Sequence, residues 1–256
     1  MKVENLVEAL EDLAPVRHAE PWDNVGLLIG DENAPLSRVL LTIDLGLAQL
    51  EEAKRSGCEA VVAYHPPIFK DLRRLLPGMA AYEAVRAGIA VYSPHTALDV
   101  ARGGTNDSLA EGVLGLVDVE PLRPALDGPG MGRLGVLDPT VDRSLLLERI
   151  KARLGMDRLL VAGPRTGTAR LVAVCAGACG DILDHALARG ADLYLTGEMR
   201  HHDALRAARN GMTVVCALHS NSERHVLVRL QQRLRAILPK LEVTVSQTDA
   251  DPFTIC

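Results

Sequence analysis

Apolar and polar positions follow one repeated order along the chain: a short run of β-branched and aliphatic residues, then a helix-period stretch that closes on glycine. An opening helix is expected in residues 1–15, where apolar positions recur at helical spacing among acids. RVLLTIDL (38–45) then leads into a helical pattern ending at Gly57, CEAVVAYH (58–65) into one ending at Gly88, and IAVYSPH (89–95) follows. The second half repeats the rhythm with RLVAVCAG (170–177), a helix to Gly190, ADLYLTGE (191–198), a helix to Gly211, MTVVCALH (212–219), a long helix to about Leu238 and KLEVTVSQTD (240–249). Strand–helix alternation with continuously apolar strands predicts α/β architecture: two domains with mostly parallel or mixed sheets flanked by helices. The intervening stretch, roughly 118–168, is rich in Gly and Pro and reads as a junction plus an edge hairpin-and-helix element, with one helix over 141–154 flanked by GRLGVLD and RLLVAG. The expected domains are 1–118, completed by the C-terminal strand in 240–256, and 119–239.

With 256 residues and 48% hydrophobic positions the chain can bury substantial cores, and only 3% aromatic content makes those cores aliphatic. A net charge of -5 argues against broad electrostatic affinity for nucleic acid. Arg224, Arg229, Arg233 and Arg235 read as a solvated helix face rather than a phosphate-binding stripe. No run has the length of a membrane-spanning helix. Cys58, Cys175, Cys179, Cys216 and Cys256 are expected to be buried thiols rather than a disulfide framework or zinc knuckle, which fits a reducing cytoplasm.

Candidate chemistry gathers at strand ends, where open parallel sheets bind ligands. Asp44, Tyr64-His65, His95 with Asp99, Glu198 with His201-His202-Asp203, and His219 each follow an apolar run. His219 and Glu223 have i, i+4 spacing, which can share a cation on one helix face. Ser220-x-x-Glu223 equally fits a capping box with Ser220 as N-cap. Thr105-Asn-Asp-Ser108 reads as a helix start. Histidine nitrogens and carboxylates without thiolate suit one or two divalent ions per chain, Zn, Fe, Mn or Ni. Walker, dinucleotide and nucleophile-elbow signatures are absent, and Gly177-Ala-Cys-Gly180 is at most a turn offering amides to an anion.

The segments PWDNVGLLIG (21–30), YHPPIF (64–69), SPHTALDVARGGTNDSLAE (93–111), TGEMRHHDAL (196–205), HSNSER (219–224) and DPF (251–253) together resemble the NIF-three-like family, whose members also carry the name type 2 GTP cyclohydrolase I. The resemblance spans nearly the whole chain. It implies two α/β domains around a cleft that holds a dinuclear metal centre, and a ring-shaped homohexamer built from dimers. Carried over by position, His65 and Asp99 would serve one metal, His219 the other, and Glu223 would bridge. Tyr64 stands where the family has its first His. As a phenolate it would be a ligand, and as a non-ligand it would leave one metal short of donors. The second reading is favoured, so that the other site is weak, solvent-rich or rescued by His95 or His202. The His201–Ala204 segment matches the family and would line the cleft or serve a plain structural role.

The combined expectation is a cytoplasmic metal-dependent hydrolase acting with metal-activated water on a nucleotide or other small phosphorylated substrate. His95, His201 and His202 are the candidate proton carriers. The contrasting reading is a non-enzymatic metal-binding regulatory or scaffold protein with a degraded dinuclear site.

Overall fold

The computed structural model describes residues 1–126 and 128–254. The strands are β1 (Gly26–Ile29), β2 (Arg38–Thr42), β3 (Ala60–Ala63), β4 (Ala90–Ser93), β5 (Val117–Arg123), β6 (Met131–Asp142), β7 (Leu160–Ala162), β8 (Thr168–Cys175), β9 (Leu193–Thr196), β10 (Thr213–Cys216) and β11 (Glu242–Val245). They form a five-stranded sheet in the order β1-β4-β3-β2-β11 and a six-stranded sheet in the order β5-β6-β8-β9-β10-β7. Two compact units result: Met1–Arg102 with Leu227–Ala250, and Gly103–Val226 with the chain from Asp251 onward.

These divisions fall at 102 and 226, whereas composition had suggested 118 and 239, and packing explains the difference. Leu109, Ala110, Val113 and Leu114 are buried in one apolar cluster with Val172, Leu193 and Val215, so residues 105–114 belong to the second sheet. The later part of the helix His219–Ile237 goes with the first sheet, because Gln231 Nε2 and Arg235 Nη2 donate to the carbonyl of Val243 in β11.

In the first unit β11, β2, β3 and β4 run parallel, and β1 closes one edge antiparallel to β4. The central strands are fully apolar in burial: Val39, Leu40 and Leu41 of β2 and Val61 and Val62 of β3 are nearly inaccessible. Each such side chain contributes about 1.5–3 kcal/mol of transfer free energy, so these strands carry much of the unit's stability. The helix Val3–Leu13 buries Val3, Leu6, Ala9, Leu10 and Leu13, the face its spacing defined. The helices Leu47–Arg55 and Ala80–Ala87 end at Gly57 and Gly88, both in the left-handed region where glycine has no Cβ to clash.

The second sheet is mixed. β8, β9 and β10 are parallel at its centre, while β5, β6 and β7 add antiparallel pairings outside them. The expected edge hairpin-and-helix element in 118–168, built on GRLGVLD and RLLVAG, is not what forms: β6 lies inside the sheet between β5 and β8, while β7 pairs with β10 at the opposite edge, and the helix Arg143–Leu154, capped by Asp142, connects the two. The strands that the hydrophobic pattern passed over, β1 and β5, both lie at sheet edges. β5 leaves most of its residues half-exposed or exposed, so it lacks the continuous apolar run of a central strand. No helix among the described residues is long and apolar enough to cross a membrane.

Cys58 and Cys216 are buried free thiols, and burial raises both above the ordinary thiol value, Cys216 to about 11. Cys175 and Cys179 depart from expectation. They are joined as a disulfide, because the turn after β8 returns the chain and brings their Cα atoms to 5.9 Å. Cys256 lies outside the described residues.

Candidate metal-binding groups

In the first unit the polar residues emerge from the carboxyl ends of β2, β3 and β4. The register continues beyond the strands: Tyr64 N donates to Thr42 O at 2.9 Å and His65 N to Ile43 O at 3.0 Å, while Ser93 Oγ donates to Tyr64 O at 2.8 Å. His65 is thereby set beside Asp44, with Nδ1 2.9 Å from Asp44 Oδ1. An ionised carboxylate only accepts, so the pair places the proton on Nδ1 and leaves the lone pair on Nε2, the arrangement that orients an imidazole toward a metal.

Tyr64 and Asp99 are also brought together. Asp99 sits in the short helix His95–Val100, and Tyr64 Oη donates to Asp99 Oδ1 within the protein interior. His95 starts that helix with φ 28°, a left-handed backbone that a non-glycine residue adopts at a cost. Its Nδ1 lies 2.7 Å from Asp23 Oδ1, and Asp23 Oδ2 accepts from Thr96 N at 3.1 Å. Burial would push the Asp23 carboxyl up, but hydrogen bonds from His95 and Thr96 outweigh it and hold the group below its ordinary value. Asp23 is therefore an acceptor, and His95 carries its proton on Nδ1 with Nε2 as its working nitrogen.

In the second unit β9 and β10 end at Glu198 and His219. Leu218, with φ 64°, turns the chain from β10 into the helix that begins at His219. Glu198 Oε1 lies 2.8 Å from His219 Nδ1, and Glu223 Oε1 lies 3.3 Å from His219 Nε2. The carboxylate-tethered imidazole seen at Asp44–His65 thus recurs here. His219 and Glu223 belong to a His/Glu group that could hold a metal ion. Glu223 is 3% exposed, whereas His219 is partly accessible.

The turn after β8 fits tightly against this group. Gly177 N donates to Ser222 Oγ at 2.9 Å, and Gly177 O accepts from Gly197 N and Glu198 N, both at 2.9 Å. The Gly177 amide is thus used internally and is not offered to an anion. Gly177 has φ 70°, and a Cβ placed there would lie 2.8 Å from Glu223 Oε1 and 3.4 Å from His219 Nε2. Ser220 is inside the helix and not its N-cap: its Oγ donates to Asp251 Oδ2 at 2.8 Å, while Glu223 turns to His219. Of the two readings of this segment, the structure has the i, i+4 pair.

Thr105 begins a helix as expected, and Asn106 and Asp107 are structural: Asn106 Oδ1 accepts from Ala176 N at 2.9 Å, and Asp107 pairs with buried Arg133. His201 and His202 open the helix His201–Arg209 and are exposed, with ring centroids 5.2 Å apart. An open cavity of about 550 Å³ in this unit is lined by Asp181, Asp184, Glu198, Arg200, Asp203 and Arg206, among others, but by neither histidine. Its volume is in the range of small-molecule sites. In the sequence Asp23 stands out only as part of PWDNVGLLIG, and Asp44 and Glu198 only as strand-end candidates with no assigned partner. An acid just before an apolar strand was the one signal for Asp23, and its partner His95 lies far along the chain.

Fold and donor chemistry define a two-unit α/β protein whose strand ends carry carboxylate-oriented histidines, a class suited to divalent metals. The family model for Duf34/NIF3 (NGG1p interacting factor 3) matches residues 1–252. A NIF3-like protein 1 of Drosophila melanogaster is 37% identical, covering 98% of this chain and 88% of its own length. A GTP cyclohydrolase 1 type 2 homolog of Lactococcus lactis is 34% identical, covering 99% of both chains. The crystal structure of a Staphylococcus aureus hypothetical protein superposes with a TM-score of 0.91 at 26% identity, over 100% of this chain and 99% of that one. The chain belongs to the NIF3 family.

Proposed function

We propose that the protein is a metal-dependent hydrolase acting on a nucleotide or another small phosphorylated substrate. The observation that carries this reading is the repeated tether: Asp44 on His65 and Glu198 on His219 each engage Nδ1, which leaves the buried Nε2 of His65 and the Nε2 of His219 beside Glu223 as the nitrogens to serve a metal. The donor set fits a divalent Zn, Fe, Mn or Ni ion, because it combines neutral imidazole nitrogen with carboxylate oxygen and no thiolate. His65 and Asp99 would hold one ion, with His219 and Glu223 serving a second. A bound ion supplies Lewis acidity and brings the pKa of water toward neutrality.

The remaining work falls to the chain's own groups. Asp44 and Glu198 fix the tautomers of His65 and His219. Asp23 holds His95 with its Nε2 available to take up or deliver a proton, which makes His95 a better proton carrier than the exposed His201 and His202. Glu198 also borders the cavity of about 550 Å³, so the carboxylate that orients His219 lies where a small substrate can reach.

The test is a panel of nucleotides and phosphoesters offered to protein of measured metal content. Metal-dependent turnover that is lost in Asp99→Ala and in His219→Ala is the expected result. Full metal occupancy with no turnover of any member would overturn the enzyme reading. A second reading has its own support: Tyr64 Oη donates a hydrogen bond to Asp99, so the phenol keeps its proton and is engaged as a partner of that carboxylate. A protein that binds one ion tightly, a second weakly, and turns over nothing would be the metal-binding scaffold. A ring-shaped homohexamer is part of the same proposal, and light scattering of the purified chain tests it.

A further inference from the structure

The chain has one tryptophan and two phenylalanines, and its rarest aromatic side chain is spent on the surface. Trp22 is 59% exposed and Phe69 46% exposed, while Tyr64, Tyr92 and Tyr194 are buried. Both exposed rings lie beside the polar residues of the first unit. Their centroids are 5.9 Å apart, and they stand 6.1 and 6.3 Å from the ring of His95, which is itself 5.4 Å from His65.

The loops that carry them are fixed. Asp23, next to Trp22, is held by His95 and Thr96, and Asn24 Nδ2 donates to Ile68 O at 2.5 Å, which ties the Trp22 loop to the Phe69 loop. The two rings meet edge to face at 65°, so a planar group can stack on one of them while the other borders its edge. Flat heterocycles stack on such a ring whatever the base, because every base has a π-face. The exposed segment after Phe69 carries Lys70, Arg73 and Arg74 against the single acid Asp71, and none of the three bases has a carboxylate partner among the described residues. An aromatic platform with adjoining positive charge matches a planar base joined to a phosphate.

We propose that Trp22, the more exposed ring, stacks the base of a nucleotide beside His95 with Phe69 bordering the edge of that base, and that Lys70, Arg73 and Arg74 provide positive charge for its phosphate. This rests on the hydrolase reading for its location and narrows that reading's substrate class to nucleotides. A phosphosugar or a simple phosphoester would leave the platform unused.

The single tryptophan is its own reporter. Intrinsic emission of the full chain is titrated with guanosine monophosphate and, in parallel, with ribose 5-phosphate. Saturable quenching by the nucleotide but not by the sugar phosphate is expected. Phe69→Ala should raise the half-saturating concentration about tenfold, as loss of one of the two aromatic contacts to the base implies, and Phe69→Tyr should restore it. Since Phe69 is exposed, a circular-dichroism spectrum and melting midpoint close to those of the parent show that the variant has folded. Equal curves for the two ligands, or no effect of Phe69→Ala, would overturn the proposal. So would emission that depends on protein concentration and ignores the nucleotide, since Trp22 would then be a contact between copies. Because the readout is binding, quenching without any hydrolysis would sink the hydrolase and keep the platform. Turnover of base-free phosphoesters without quenching would do the reverse.

Discussion

At the residue scale, chemistry depends on which nitrogen of each histidine is held. Asp44 and Glu198 engage Nδ1 of His65 and His219, so removing either carboxylate frees the ring to rotate and tautomerise. Asp44→Ala and Glu198→Ala are each expected to weaken divalent-metal affinity by roughly ten- to a hundredfold, measured by competition with a chelating dye, with little change in fold. A chelator titration that does not distinguish these variants from the parent would remove the tether from the argument. Gly177 is the second sensitive position. Alanine there forces a side chain into the left-handed region, at about 1–2 kcal/mol, and drives its Cβ to 2.8 Å from Glu223 Oε1. Gly177→Ala should therefore lower both the melting temperature and metal affinity, whereas Gly167→Ala, also at positive φ but with open space around it, should lower only the first.

At the element scale, the turn after β8, the end of β9 and the start of the helix His219–Ile237 form one hydrogen-bonded assembly through Gly177 and Ser222. Residues 105–107 support it from the next element, where Asn106 satisfies Ala176 N and Asp107 pairs with Arg133. Arg133 is nearly inaccessible and also donates to the carbonyls of Gly130 and Gly132. Asp107→Ala would strand that guanidinium inside the unit, and a loss of about 3–5 kcal/mol in unfolding free energy is expected from chemical denaturation. Joint replacement of Asp107 and Arg133 by apolar residues of similar volume should recover much of it. The sequence pattern made residues 105–108 a helix start, which they are. It could not show that the polar side chains there hold a neighbouring turn, since local spacing carries no information about a partner seventy residues away.

At the scale of the whole chain, the C-terminal strand must return to the first sheet, and Glu52 is the polar group that receives it. Its carboxylate accepts from Ser246 Oγ at 2.6 Å, Gln247 N at 2.8 Å and Thr248 Oγ1 at 2.7 Å. Burial would raise this carboxyl, yet these bonds hold it below its ordinary value. The unfolded chain then binds the proton more readily than the native one, so stability rises with pH across that interval. Glu52 contributes fully above the unfolded glutamate value of about 4.3 and loses its contribution as pH falls through the lower native value. Glu52→Gln should flatten the acid limb of the melting-temperature profile and leave orphaned donors that cost about 1–3 kcal/mol near neutrality. An unchanged acid limb would mean that other carboxylates govern acid unfolding.

What the sequence determined by itself is the set of elements that bury apolar surface on two faces, and the strand ends at which Asp44, His65, His95, Glu198 and His219 stand. Periodicity is a local property, and burial of central strands imposes it strongly enough to be read without a partner. The edge strands β1 and β5, the sharing of residues 105–114 with the second sheet, and the Cys175–Cys179 pairing escaped that reading. Only the tertiary structure decided these, and likewise the pairings of Asp23 with His95, Asp44 with His65 and Tyr64 with Asp99. A hydrogen bond depends on distance and direction between groups far apart in the chain, and no spacing along the sequence encodes either.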